Sequence, residues 1–202
     1  DSNIDLAGAN SGSNSVSVLI GNGNGGFSAP TNFSAGTSPI SIASADFTND
    51  GKADLAVTNF GGFFFGTVSI LIGNGTGGFA AGTPLRTRTQ PSFVTSANLN
   101  GDGSPDLVVA SFGANSVSTF FGNNNGTFVL SQNITTGAGP VSVKLADLGT
   151  DGILDLAVAN YNGDTFTACT GNALGGFSFC SINNPAGGTN PISITAGDYV
   201  GN

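Results

Sequence analysis

One phrase of about fifty residues recurs four times along this chain, and that recurrence restricts the fold more than any other feature. Each copy opens on a proline and an alternating apolar segment. An Asp-rich loop follows, then two further apolar segments, then a Gly-Asn turn that ends in Phe. The opening prolines are Pro39, Pro91, Pro140 and Pro191, spaced by 52, 49 and 51 residues. The turn phenylalanines are Phe27, Phe79, Phe128 and Phe177, spaced by 52, 49 and 49. The last aspartate of each loop falls at Asp5, Asp54, Asp106 and Asp155.

Within a copy the period is two. Ile40, Ile42 and Ser44 fall on one side, and Ser41, Ala43 and Ala45 on the other, as in a strand. Asp54 to Thr58 and Thr67 to Ile72 read as two more strands, and a fourth begins at Phe79. Four short strands in ~50 residues make one propeller blade. The predicted fold is therefore all-β, a β-propeller of four four-stranded blades in a single domain, 1–202. Its units run over about 1–38, 39–90, 91–139 and 140–190, and 191–202 either complete the first blade or start the next. A closed four-bladed ring and a four-blade stretch of a longer array both fit. Composition agrees: all 12 acids are Asp and only 4 residues are Lys or Arg, so the usual helix formers are scarce. Ser41, Ala43, Ala45, Ala56 and Ser69 supply the small face that sheets stacked near a crowded centre need.

The loops carry the charge. One reads Asp46, Thr48, Asp50, Lys52 and Asp54 at positions 1, 3, 5, 7 and 9. The next reads Asn98, Asn100, Asp102, Ser104 and Asp106, and the third Asp147, Gly149, Asp151, Ile153 and Asp155. The split copy has Asp198 and Asn202 at one end of the chain, and Asp1 and Asp5 at the other. Eleven of the 12 aspartates lie in these loops, and only Asp164 lies outside them. Carboxylates crowded at ~4–6 Å repel one another unless a cation sits among them. Side-chain oxygens at positions 1, 3, 5 and 9, a carbonyl at 7 and a turn-permitting Gly at 6 would wrap one hard ion. This is like the first half of an EF-hand loop, without the Glu at position 12. Ligation by oxygen alone, without His or Cys, favours Ca2+ over zinc. The first of these loops has three carboxylates and the Thr48 hydroxyl, whereas the second has fewer charges and the third lacks a side-chain donor at Gly149, so the first is expected to bind most tightly.

The phrases Ala45-Asp46-Phe47 through Asp50-Gly51 to Asp54-Leu55-Ala56-Val57, then Val68-Ser69-Ile70-Leu71-Ile72-Gly73-Asn74-Gly75 and Gly78-Phe79, resemble the FG-GAP or VCBS repeats of bacterial surface proteins and integrin α-chain propellers. The resemblance implies a β-propeller with calcium in the loop between the first two strands of each blade. It also implies service in adhesion, in carbohydrate binding or as an appendage to a secreted enzyme, without naming a ligand.

Cys169 and Cys180 flank a hairpin turn and are predicted to form a cross-strand disulfide, which would place the protein outside the cytosol. The sequons begin at Asn32, Asn74, Asn125 and Asn133. Phe63, Phe64 and Phe65 form an apolar run in a loop, either an exposed contact surface or a buried plug. A net charge of −8 argues against nucleic acid, and no apolar run is long enough to span a membrane as a helix. With no His and no Glu, general acid–base pairs are wanting, and no enzyme is expected. The expectation is a secreted, calcium-stabilised binding or adhesion module for a protein or carbohydrate ligand. The alternative is a protomer of an extracellular fibre or surface array that associates head to tail.

Overall fold

The computed structural model describes residues 3–62, 64–183 and 188–200. Sixteen strands form four antiparallel sheets, one per repeat. The first holds β1 (Leu6–Asn10), β2 (Ser15–Leu19) and β3 (Thr31–Ser34). The second holds β4 (Pro39–Ala45), β5 (Asp54–Asn59), β6 (Gly66–Gly73), β7 (Phe79–Ala81) and β8 (Leu85–Thr87). The third runs β9 (Pro91–Ala97), β10 (Asp106–Ser111), β11 (Ser116–Gly122) and β12 (Phe128–Thr135). The fourth runs β13 (Pro140–Ala146), β14 (Asp155–Asn160), β15 (Thr165–Gly171) and β16 (Phe177–Asn183). The chain is thus an all-β, propeller-type array of blades. In the second blade Gly82, Thr83 and Pro84 split the outer strand, so both β7 and β8 pair with β6. A proline cannot donate to a ladder, which is one reason the strand breaks there.

The core lies between blades rather than inside one. Every residue of β5, β10 and β14 is buried, because these strands are covered on both faces. Alternate side chains of β10 feed two different layers. Leu107 and Val109 pack with Phe47, Ala56, Val68 and Ile70 of the second blade. Val108 and Ala110 pack with Val143, Leu156 and Val158 of the fourth. Leu107 to Ala110 form a continuous apolar run, and the strand is apolar on both sides, as in sheets covered on both faces. Burying each such Val or Leu is worth roughly 1.5–3 kcal/mol.

The innermost strands meet through serine side chains. Ser41 Oγ accepts the Val94 N–H at 3.2 Å, and Ser92 Oγ donates to the Pro140 carbonyl at 2.6 Å. Ser142 Oγ accepts the Ile194 N–H at 3.4 Å. The segment from Pro191 to Gly197 therefore sits beside β13 much as β9 sits beside β4. It forms no strand and does not pair with β1, so among the described residues no strand pairing joins the last segment to the first blade.

A second seam runs from each third strand to the following linker. Ser38, Gln90 and Asn190 precede prolines with φ of 52°, 53° and 49°, a region that a residue before proline avoids unless it is held there. Their backbones are held. The Ser38 carbonyl accepts the Phe60 N–H at 2.9 Å, and the Gln90 carbonyl accepts the Phe112 N–H at 2.8 Å. From the other side, Asn14 Oδ1 accepts the Ser38 N–H at 2.9 Å, and Asp164 Oδ1 accepts the Asn190 N–H at 2.6 Å. Asp164, the carboxylate outside the loops, is thus a turn residue that clasps the linker after its own blade.

Candidate functional site

The Asp-rich loops join the first and second strands of each blade, at the end of the sheet that also carries the outer Gly-Asn turns. Position 9 does what the spacing alone did not foresee. In the second blade Asp54 Oδ2 accepts the Phe47 N–H at 2.9 Å and the Thr48 hydroxyl at 3.2 Å. Its other oxygen accepts the Gly73 N–H at 2.8 Å, from the far end of β6. Asp106 makes the same fork to Leu99 N at 2.7 Å and Gly122 N at 2.9 Å. Asp155 accepts from Leu148 N at 2.7 Å, Gly149 N at 2.9 Å and Gly171 N at 2.8 Å. Asp5 keeps the third-strand arm, accepting the Gly21 N–H at 2.8 Å. These carboxylates tie the loop to the third strand. The paired glycines could have been found in the sequence at Gly21, Gly73, Gly122 and Gly171. A side chain there would collide with the carbonyl of the residue before the aspartate.

Positions 1 and 5 shape the loop itself. Asp46 accepts the Asp50 and Gly51 N–H groups at 3.1 and 2.7 Å, and Asp147 accepts those of Asp151 and Gly152 at 3.1 and 2.8 Å. In the third blade Asn98 Oδ1 accepts the Gly101 N–H at 2.9 Å, and Asn100 Nδ2 donates to Asp102 Oδ2 at 2.9 Å. Asp50 is paired with Lys52 Nζ at 3.0 Å, and Ser104 and Ile153 donate backbone N–H groups to Asp102 and Asp151. Asp198 Oδ1 accepts the Val200 N–H at 3.1 Å. Asp1 and Asn202 lie outside the described residues.

The electrostatics follow from these partners. The Lys52 side chain holds Asp50 below the usual carboxylate range, and the Ser104 N–H does the same for Asp102. The Gly152 N–H leads in lowering Asp147. Asp46 is pushed up by desolvation, yet the N–H groups of residues 48 to 51 together bring it below its ordinary value. Asp106 moves the other way: desolvation, helped by the Asp102 charge, raises it.

Position 3 points inward. Thr48 Oγ1 lies 3.5 Å from Asp46 Oδ1 and 3.2 Å from Asp54 Oδ2. At Gly149 a Cβ would stand 3.7 Å from Asp155 Oδ2 and 4.0 Å from the Asp151 carboxyl carbon. Positions 1, 3 and 9 thus approach one another in the second blade, and positions 5 and 9 flank position 3 in the fourth, and the all-oxygen donor set suits a hard ion. Among the described residues, however, no three His, Cys, Asp or Glu side chains gather into a ready metal-binding group, because several carboxylate oxygens face backbone amides instead.

The loops also brace neighbouring blades. Phe47, at position 2, is buried and meets Phe128 edge-on at 5.4 Å between ring centres. Its carbonyl accepts the Gly126 N–H, at 2.9 Å, from the outer turn of the third blade.

The other predicted features are placed as follows. Cys169 and Cys180 form a disulfide across β15 and β16. Asn74 and Asn125 stand at exposed turn tips, each accepting the hydroxyl of the threonine two residues on. Asn32 accepts Ser17 Oγ at 2.6 Å, and Asn133 accepts Ser118 Oγ at 2.7 Å and Arg88 Nε at 3.1 Å. Phe64 and Phe65 are 84% and 62% exposed, which favours the contact-surface reading over a plug for those two. Phe63 lies outside the described residues. No helix among the described residues is long and apolar enough to cross a membrane.

Stacked antiparallel blades with a recurrent Asp loop define a β-propeller repeat protein. The model of the FG-GAP-like repeat matches residues 1–57 and 98–158, and the chain belongs to that family. A solved protein from Lactobacillus plantarum is similar in fold, with a TM-score of 0.60 and 14% identity over 85% of this chain. A functionally unknown protein from Desulfotomaculum acetoxidans aligns over 87% of the chain at 12% identity, with a TM-score of 0.47. The chain spans 48% and 65% of those two proteins. No curated protein matches.

Proposed function

We propose that this chain is a calcium-stabilised binding and adhesion module that works outside the cell, without catalysis. The carrying observation is the shared space at position 3. The Thr48 hydroxyl and the point where a Gly149 side chain would begin both lie among the carboxylates of their own loops. In the second blade Asp46, Thr48, Asp50 and Asp54, with the Lys52 carbonyl, would hold the ion. A carboxylate that already accepts backbone N–H groups keeps lone pairs for a cation. Bound calcium would supply the positive charge that the four basic residues cannot. The site of the third blade offers Asn98, Asn100, Asp102, Asp106 and the Ser104 carbonyl. That of the fourth offers Asp147, Asp151, Asp155 and the Ile153 carbonyl. Fewer charges or fewer donors should make both weaker than the second.

The disulfide supports an extracellular setting, and the absence of His and Glu from the sequence supports a non-catalytic role. The test is a thermal or urea melt with calcium and with chelator. At a hundredfold excess over one site's dissociation constant, calcium should add about 2.7 kcal/mol. Identical melts in the two buffers would remove calcium from the reading.

A further inference from the structure

The repeat breaks its own rules at one place, the junction of the second and third blades. In the other blades the second strand ends in Asn10, Asn59 or Asn160, whose side-chain amide donates to two hydroxyls of the third strand. In the third blade the same place holds Ser111, and the hydroxyls of Ser111 and Ser116 are buried without a partner among the described residues. The linkers before and after the anomaly carry Gly36 and Gly137. A side chain on either would run into Asn59 or Asn160. At the matching position the second linker carries Arg88. By its place in the repeat, Arg88 corresponds to the glycines that face Asn59 and Asn160, and Ser111 is the smaller residue at the Asn position. Before the third strand, where Asn14, Asn115 and Asp164 clasp the next linker, the second blade has Gly66. The loop leading to Gly66 carries the exposed Phe64 and Phe65. Departures of this kind, which give up buried hydrogen bonds, are expected at functional sites.

Arg88 and the exposed Phe64 and Phe65 line one open groove of about 460 Å³ between the blades. Its floor and walls include Phe64, Phe65, Arg86, Arg88, Ser118 and Asn133. Arg86 lies over the Phe65 ring at 5.2 Å, a cation–π distance that orients its guanidinium. Arg88 is steadied through Nε by Asn133 at 3.1 Å, which leaves its terminal nitrogens for a ligand. The ion pair among the described residues is Lys52 with Asp50, so neither arginine is neutralised although the chain carries −8. Half of the chain's four cationic side chains therefore face one groove, without a carboxylate partner among the described residues.

We infer that this groove binds an acidic sugar, a pyranose ring bearing a carboxylate. Two guanidinium groups give fork-shaped donors for the carboxylate. The exposed phenyl rings offer apolar faces to the C–H side of a ring, and the Asn133 amide, whose oxygen is held by Ser118 Oγ and Arg88 Nε, meets its hydroxyl edge. The volume suits one or two sugar rings and lies within the ordinary range of small-ligand sites. This deepens the reading of the chain as a binding module and rests on it. It does not depend on the Asp loops, which lie at the other end of the strands.

The test is calorimetric titration of the whole chain with trigalacturonate and with the neutral galactose trimer, in calcium buffer and in chelator. The acidic trimer should bind and the neutral one should not. Arg86→Gln with Arg88→Gln should weaken binding by roughly tenfold or more, the loss expected for charge-assisted hydrogen bonds. The Lys pair at the same positions should retain part of the affinity, and Phe64→Ser should weaken it without changing the melting temperature. Equal binding of both trimers, no binding of either, or an unweakened, folded Gln pair would overturn the inference. Calcium-independent melting together with trigalacturonate binding would sink the metal reading alone. Calcium-dependent melting with no binding would sink the groove alone.

Discussion

Asp155 joins two parts of its blade with one buried carboxylate, accepting from Leu148, Gly149 and Gly171. Replacing it by alanine strands three amide donors and removes the link between loop and third strand. Asp155→Ala should cost roughly 3 kcal/mol or more in urea unfolding, since buried donors lose their partners. Asp151→Ala, at an exposed loop position with one backbone partner, should cost under about 1 kcal/mol without metal. The sequence made both residues look like equivalent ligands, because spacing records where oxygens recur and says nothing of which amides they meet. The long-range arm of the fork crosses 16 residues from Asp155 to Gly171, and only the pairing of strands reveals it.

At the level of strands, the register decides what a substitution can do. Cys169 and Cys180 cross-link β15 to the outermost strand of the last blade at a register shift between Ala168 and Thr170. The bridge closes a short loop, and replacing both cysteines by serine should lower stability by about 2–3 kcal/mol in the chain-entropy view. Differential scanning calorimetry of the double variant measures this directly. The junction of the second and third blades offers the opposite sign. Arg88→Gly with Ser111→Asn should rebuild the side-chain ladder of the other blades, give Ser116 a partner, and stabilise by about 1 kcal/mol. Neither change alone should do so, because in the matching blades the Asn amide stands against a glycine of the linker, where an added Cβ would already collide. Four blades, their strand pattern and the disulfide pairing were all legible from spacing and period. The split of the outer strand into β7 and β8 was not read, although Pro84 carries the signal. Arg88 and Ser111 looked unrelated, because they lie in different repeats and correspond only through the Gly–Asn contacts that the other blades make across the linker.

Across the molecule, the carboxylates set the response to acid. Asp46, Asp50, Asp102 and Asp147 are held below their ordinary values by hydrogen bonds. Each contributes stability that is complete above its unfolded pKa and is lost as pH falls through the folded one. Asp106, raised by desolvation, opposes them: its protonation favours the folded state, so stability falls as pH rises through that window. Four against one, the urea midpoint measured in chelator should drop as pH falls below about 4. A midpoint that climbs on acidification would show that burial of the carboxylates outweighs their hydrogen bonds.

Successive inner strands touch through Ser41, Ser92 and Ser142 rather than through a continuous ladder. Such a join asks little of the units it connects. Duplicating or deleting one whole unit would change how far the molecule sweeps around its axis, yet no internal pairing would need redrawing. Blade number is therefore free to drift by simple tandem copying, while each copy keeps its own chemistry.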